Sequence, residues 1–201
     1  MRKRVESRVR RRKTNGVGIC CVPPVKGVFL VNPPMDSDLS VHDRLVLFLN
    51  EAGVSFRQLH HEPTPTSADA ARVRGEPIGS GAKALLLKTD DCYRLFVLPG
   101  DRRLDSASVK KQFGVGRLRF ASKEELFALT GLVPGAVPPF GQPILPYELT
   151  ADVTIGQLHP TVAFNAGSLT DSIIMSAADW DRVAKPARLP IIEPIDQTPK
   201  S

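Results

Sequence analysis

The sequence predicts an α+β fold: a mixed, largely antiparallel sheet, barrel-like in outline and flanked by helices. Two apolar, strand-length runs, Lys83 to Lys88 and Tyr93 to Leu98, are joined by Thr89-Asp-Asp-Cys92, the pattern of a β-hairpin. Amphipathic, capped segments fall between further strand-like runs without strict alternation, which argues for α+β with a mixed, largely antiparallel sheet. The chain has 201 residues, 42% apolar and 24% charged, enough for one medium domain with a substantial core. That composition excludes collagen-like, coiled-coil and wholly disordered chains.

The first helix runs from Val41 to Ala52, with Val41, Leu45, Phe48, Leu49 and Ala52 on one face and Gly53 as its stop. Phe56 to Leu59 is a short strand, and Pro63 and Pro65 mark a turn. Ser67 to Arg74 is a second helix, closed by Gly75. After the hairpin, Pro99-Gly-Asp101 breaks the chain before a helix from Asp105 to Phe113, and Leu118 to Phe120 is a strand. Ser122-Lys-Glu-Glu125 is a capping box that starts a helix through Leu129, ended by Gly131. The segment from Gly131 to Pro143 holds four prolines and three glycines in thirteen residues. It is too punctuated for a helix or strand and too apolar for a solvated loop, which implies a rigid, partly buried loop. Ile144 to Tyr147, Thr161 to Asn165 and Ser172 to Ser176 supply further strands, and Ala177 to Ala184 a last helix.

Charge and proline divide the chain into three parts. Residues 1–37 read as a disordered, basic and proline-containing extension, 38–185 as the folded domain, and 186–201 as a proline-rich C-terminal tail marked by Pro186, Pro190, Pro194 and Pro199. Of the net charge of +6, residues 1–13 alone contribute +7. The body is polarised: residues 94–123 sum to +6 and 124–201 to −5. A basic patch on a near-neutral domain suits transient contact with a polyanion rather than tight nonspecific binding. The basic block at the start is either an RNA-binding arm or targeting tail, or a solvated extension, with Met35 as an alternative start. No apolar stretch approaches the roughly 18 to 20 residues that span a bilayer. Three cysteines, Cys20, Cys21 and Cys92, cannot form an even disulfide framework and point to a reducing, cytoplasmic setting.

Chemistry-bearing motifs are sparse. There is no Gly-x-Ser-x-Gly elbow, and Cys92 sits in a predicted hairpin turn. Adjacent His60 and His61, with isolated His42 and His159, lack zinc-ligand spacing. Gly79-Ser-Gly-Ala-Lys83 has the outline of a phosphate loop, but Ala84 stands where Ser or Thr would bind magnesium. Three features remain. Lys83 opens an apolar strand after a glycine-rich turn, so its ammonium is placed either at a pocket mouth or snorkelling from a strand end. The Gly/Pro loop could aim backbone N–H groups at a developing oxyanion, or simply connect. Phe164-Asn-Ala-Gly-Ser168 offers close backbone approach and neutral hydrogen bonds, or is a plain turn.

Taken in order, Thr66-Ser-Ala-Asp-Ala-Ala71, Gly81-Ala-Lys-Ala-Leu-Leu-Leu-Lys88, Val97-Leu-Pro-Gly-Asp101, Gly131-Leu-Val-Pro-Gly-Ala-Val-Pro-Pro-Phe-Gly141 and Phe164-Asn-Ala-Gly-Ser168 resemble the YbaK-type aminoacyl-tRNA deacylases. These are relatives of the editing domain inserted in bacterial prolyl-tRNA synthetases. The resemblance covers about residues 38–185. No synthetase catalytic or anticodon-binding module accompanies it, so the chain resembles a free-standing, trans-acting editor.

The resemblance implies hydrolysis of the ester of a mischarged tRNA (Ala, Cys, Ser or Thr) without a protein nucleophile. A positioned water, backbone groups of the Gly/Pro loop and the substrate's ribose hydroxyl would do the work. It implies Lys83, Gly131 and Gly135 as catalytic. Thr66, Pro134, Pro138, Pro139 and Gly141 would bind substrate, as would Asn165, Ala166, Gly167 and Ser168. It assigns no cofactor and no metal, leaves His159 without a role, and names the acceptor end of aminoacyl-tRNA as partner, with a synthetase as a second candidate and no membrane. Arg102, Arg103, Lys110 and Lys111, with Arg117 and Arg119, could meet the acceptor stem, whose A-form backbone is read largely by shape, or form a solvated helix face. The biological logic is a second sieve, because a synthetase pocket rejects a slightly smaller or isosteric amino acid by only roughly 10- to 200-fold. The rival readings are a noncatalytic RNA- or synthetase-binding module and a hydrolase of another small ester or of a modified nucleotide.

Overall fold

The computed structural model describes residues 39–194, Pro65 excepted. Its centre is the hairpin of β2 (Ala82–Thr89) and β3 (Cys92–Pro99), antiparallel in full register from Ala82 opposite Pro99 to Thr89 opposite Cys92. Both strands are apolar almost throughout because both faces of this sheet are covered. Leu95 and Val97 of β3 enter the main core, whereas Phe96 between them packs on Leu87, Val109 and Ile191 behind the sheet.

The hairpin nucleates a five-stranded sheet in the order β4 (Leu118–Phe120), β2, β3, β5 (Leu149–Asp152), β8 (Ala187–Leu189). β4 runs antiparallel to β2, while β5 is parallel to β3 and β8 parallel to β5. A second, antiparallel sheet has the order β1 (Phe56–His60), β7 (Asp171–Ser176), β6 (Thr161–Asn165). One parallel bridge, Gly81 to Ala163, joins the two sheets. The α+β reading holds, with a mixed sheet that is not closed into a barrel.

Local signals set the helices. α1 (Val41–Glu51) starts at Ser40, whose hydroxyl accepts from the Asp43 N–H, and buries Leu45 and Leu49. α2 (Ser67–Arg74) is capped by Thr66 and ends at Gly75 in the left-handed region. α3 (Ser106–Phe113) is capped by Asp105, and α4 (Lys123–Thr130) has the expected Ser122/Glu125 capping box. α5 (Ala177–Ala184) fully buries Trp180, whose indole N–H donates to the Pro139 carbonyl at 3.1 Å. No helix among the described residues is long and apolar enough to cross a membrane.

Two expectations are corrected. Ile144 to Tyr147 is not a strand. Pro143 and Pro146 lack the N–H that a ladder needs, and the segment turns instead, with the Ile144 and Leu145 N–H groups both donating to the Gly141 carbonyl. The strand lies just beyond, at β5. Of the expected tail from Pro186, the described part, to Pro194, belongs to the domain; residues 195–201 lie outside the described residues. β8 pairs with β5, Ile191 is fully buried, and its N–H donates to the buried Asp152 carboxylate at 2.8 Å. The expected extension of residues 1–37, with Cys20 and Cys21, lies outside the described residues. Cys92 is disulfide-bonded, so the cysteine count gives no argument for a reducing compartment.

Candidate active site

Where the two sheets meet, a cavity of about 200 Å³ opens between α2, the start of β2, β6 and the Gly/Pro loop. Its position follows from the bridge at Gly81. The backbones of Gly81, Gly100 and Ile78 crowd there, and a Cβ on Gly100 would lie 2.5 Å from the Ile78 carbonyl oxygen.

Lys83 lines this cavity. Its Nζ donates to the Arg102 carbonyl at 2.7 Å, which leaves two of the three ammonium protons for a ligand. Burial pushes the ammonium below the ordinary lysine range. Asp101 opposes the shift and Arg103 adds to it. The ammonium thus sits in a partly dehydrated place, the condition in which a contact with an anion gains most.

The Gly/Pro loop divides into two kinds of residue. Gly135 is exposed, has φ 91°, and faces the cavity with Val137. Its N–H has no acceptor among the described residues, while its carbonyl accepts from Asn165 Nδ2 at 2.9 Å. Gly131 plays another part. It is the C-cap of α4, its N–H already donates to the Phe127 carbonyl at 2.8 Å, and it does not line the cavity. Pro134, Pro138, Pro139 and Gly141 also lie outside the lining. Pro138 and Pro139 are buried and Pro139 anchors Trp180; Gly141 is packed against the Tyr147 carbonyl, 2.6 Å from where a Cβ would sit.

Of the β6 segment, Asn165 lines the cavity and Ala166, Gly167 and Ser168 do not. Ala166 is fully buried, Gly167 donates to the Ala136 carbonyl at 3.0 Å, and the Ser168 hydroxyl contacts Thr170. Thr66 lines the cavity as the N-cap of α2. Arg102 sits behind Lys83 beside a smaller cavity that also takes in His159; Arg103 and Lys111 are exposed and Lys110 is half-buried on α3.

The sequence reading missed Arg74. Its side chain is only 7% exposed and lines the cavity. It donates to Ser172 Oγ from Nε (2.9 Å), to Asn165 Oδ1 from Nη2 (2.6 Å) and to the Ala163 carbonyl from Nη1 (3.4 Å). Burial pushes its pKa down to about 10, a cost on the order of 3 kcal/mol for holding the charge there. A basic residue in the last turn before a helix-ending glycine ordinarily reads as a solvated dipole partner. The available signal was its i, i+4 spacing from Ala70, which puts both on the buried face of α2. Glu76 was missed as well. It is the one carboxylate among the cavity's lining residues.

The model of the aminoacyl-tRNA editing domain matches residues 61–183, a span that contains every wall of this cavity. The chain belongs to the aminoacyl-tRNA editing-domain family. Among its relatives is the multifunctional Ser/Thr-tRNA deacylase ProXp-y of Escherichia coli K12, 36% identical over 150 residues that make up 72% of this chain and 89% of that one. The proline–tRNA ligase of Bordetella petrii is 29% identical over 142 residues, 67% of this chain and 24% of the ligase. A crystal structure described as a candidate trans-editing enzyme for prolyl-tRNA synthetase superposes with a TM-score of 0.66 at 25% identity, covering 78% of this chain and 100% of that one. The editing domain thus accounts for the described fold, and the cavity lies inside it.

Proposed function

We propose that the chain is a trans-editing aminoacyl-tRNA deacylase that hydrolyses seryl or threonyl esters at the acceptor end of mischarged tRNA. The carrying observation is that Lys83, Gly135, Asn165 and Thr66, from four separate segments, line one cavity. Its volume of about 200 Å³ is below the 300–1,000 Å³ of sites for drug-sized ligands and suits a small aminoacyl group. The relative named for Ser/Thr-tRNA deacylation, matched over most of its length, supports the choice of ester.

Lys83 would hold the phosphate or ribose of the terminal nucleotide. A water, polarised by the ribose hydroxyl beside the ester, attacks the carbonyl carbon; the carbonyl oxygen becomes an oxyanion, for which the Gly135 N–H is the available backbone donor. The intermediate collapses with the ribose oxygen leaving and taking a proton, releasing the free amino acid and tRNA. Glu76, which also pairs with Arg57 at 3.0 Å, would supply counter-charge for the α-ammonium group. The basic residues Arg102, Arg103, Lys110 and Lys111 would track the acceptor stem, and a synthetase would be the source of the charged tRNA, in the cytoplasm. Gly131, Pro134, Pro138, Pro139, Gly141, Ala166, Gly167 and Ser168 would act by shaping the walls.

The test is hydrolysis of Ala-, Cys-, Ser- and Thr-tRNA by wild type and Lys83→Ala at matched ionic strength. Turnover of the Ser or Thr ester, strongly reduced in the variant, is expected. A flat panel would refute the assignment and leave an RNA- or synthetase-binding module.

A further inference from the structure

Arg74 carries a buried positive charge, yet all its protein partners among the described residues are neutral: Ser172, Asn165 and the Ala163 carbonyl. A buried charge without a counter-charge is an expensive arrangement, and an apolar side chain of similar volume would avoid the cost. Its hydrogen-bond chemistry shows what the arginine supplies. A guanidinium only donates and a backbone carbonyl only accepts. Asn165 lies between one of each, with Oδ1 toward Arg74 at 2.6 Å and Nδ2 toward the Gly135 carbonyl at 2.9 Å. Arg74 therefore dictates which way the amide faces, and the Ser172 hydroxyl, 3.2 Å from the same Oδ1, agrees with that choice. Ser172 is itself tied to His61 Nε2 at 2.7 Å, so the arrangement is braced from β1's end as well. The consequence reaches the loop. Clamping the Gly135 carbonyl fixes the peptide plane that follows Gly135, and the neighbouring Ala136 carbonyl is held by the Gly167 N–H at 3.0 Å. The uncommitted Gly135 N–H lies in the preceding peptide plane, one Cα away, so pinning the backbone just after it restricts where it can point, through groups that need never touch the substrate.

We infer that Arg74 is a positioning residue: acting through Asn165, it holds the Gly135 loop at the spacing that sets both the rate of ester hydrolysis and the largest aminoacyl group admitted. This rests on the deacylase reading above. A charge that met the substrate directly would behave differently on substitution, because lysine would replace it. Arg74 needs the planar fork, with Nε on Ser172 and Nη2 on Asn165 at once.

The discriminating variant is Asn165→Asp. The carboxylate gives Arg74 a counter-charge, so the melting temperature stays at or above the wild-type value. The second carboxylate oxygen faces the Gly135 carbonyl and can only repel it, so kcat on Ser-tRNA falls about 10- to 100-fold, the scale of an ångström-level misplacement. KM stays within about twofold, since the phosphate and ribose contacts are untouched. The ratio of Ser-tRNA to Val-tRNA hydrolysis falls, and amide hydrogen exchange across residues 133–137 speeds up. Arg74→Met and Arg74→Lys both lose kcat, and Arg74→Met/Asn165→Ala is no slower than the slower single variant. Wild-type kcat, wild-type size discrimination and unchanged loop exchange in Asn165→Asp would overturn the inference. So would multiplicative losses in the double variant or restoration by lysine. If Arg74→Met does not fold, Asn165→Asp carries the test alone. If wild-type protein hydrolyses no ester, the deacylase reading fails, while the exchange measurement still decides whether Arg74 and Asn165 hold the loop.

Discussion

Replacing Lys83 by alanine separates binding of the nucleotide from chemistry at the ester. One of the three ammonium protons is committed to the Arg102 carbonyl, so two are open to a phosphate oxygen. A hydrogen bond to a charged group contributes about 1.5–3 kcal/mol, which corresponds to a loss of about ten- to 150-fold in kcat/KM at 1.36 kcal/mol per tenfold. Stability should change by less than about 1 kcal/mol, because removing a partly buried ammonium recovers desolvation that offsets the lost hydrogen bond. The assay compares two substrates: Ser-tRNA and the serine ester of adenosine, which lacks the phosphate chain. The penalty should appear in full with the tRNA and shrink to about twofold or less with the nucleoside. An equal penalty on both would place Lys83 at the ribose or the ester and refute the phosphate role; no penalty on either would remove it from the site. The sign of the pH effect follows from the lowered pKa of this lysine. Its charge is lost earlier on the alkaline side than that of an ordinary lysine. The advantage of tRNA over the nucleoside, measured above the background hydrolysis rate, should fade as pH rises and persist as it falls.

Gly100→Ala and Gly79→Ala introduce Cβ atoms at similar distances from different kinds of neighbour. The first lies 2.5 Å from the Ile78 backbone oxygen and the second 2.7 Å from the His159 ring. Gly100→Ala should cost about 2 kcal/mol or more and reduce hydrolysis with it, whereas His159 can swing aside and hold the cost of Gly79→Ala below about 1 kcal/mol; equal melting temperatures would refute the distinction. Asp171 is held at about 2 by His60 first, with Ser168 and Thr170 adding and burial opposing. Because its folded pKa lies below the unfolded value near 3.8, its contribution is present above that pH and lost as pH falls toward 2. Asp171 is one-third exposed, so the effect should stay below about 1 kcal/mol, and Asp171→Asn should flatten that part of an acid-unfolding curve. Glu125 joins the α4 capping box to Arg119 and the Tyr93 hydroxyl; Glu125→Gln should lower stability by about 1–2 kcal/mol, readable by urea unfolding, with hydrolysis unaffected at permissive temperature.

Much of the fold was legible because its signals are local. Ser40, Thr66, Asp105 and Ser122 sit at helix starts for the reason their short oxygens make them good caps, and the β2–β3 hairpin announces itself by two apolar runs and a polar turn. β5 and β8 carry no such signal. Leu149-Thr-Ala-Asp152 is buried on both faces, yet the buried polar Thr150 and Asp152 interrupt the apolar run that such burial ordinarily produces, and β8 becomes a strand only because β5 is there to pair with it. The spacing of Arg74 from Ala70 hints at a buried position, but its role was not legible, since the groups that receive it lie about 90 to 100 residues away.

The Gly/Pro loop shows where a motif stops informing about chemistry. Gly131 already reads as a helix stop, but as motif positions Gly131, Gly135 and Gly141 look alike, because a helix C-cap, a substrate-facing turn and a close backbone approach all require the missing Cβ. What separates them is hydrogen-bond bookkeeping in three dimensions. The Gly131 N–H is spent on Phe127, and Gly141 is walled in by Tyr147 and Leu149. Gly135 alone of the three faces the cavity, with its carbonyl fixed by Asn165 and its N–H uncommitted among the described residues. An oxyanion donor must be both held and unspent. Of the three glycines only Gly135 meets both conditions, and the group that holds it is itself held by Arg74.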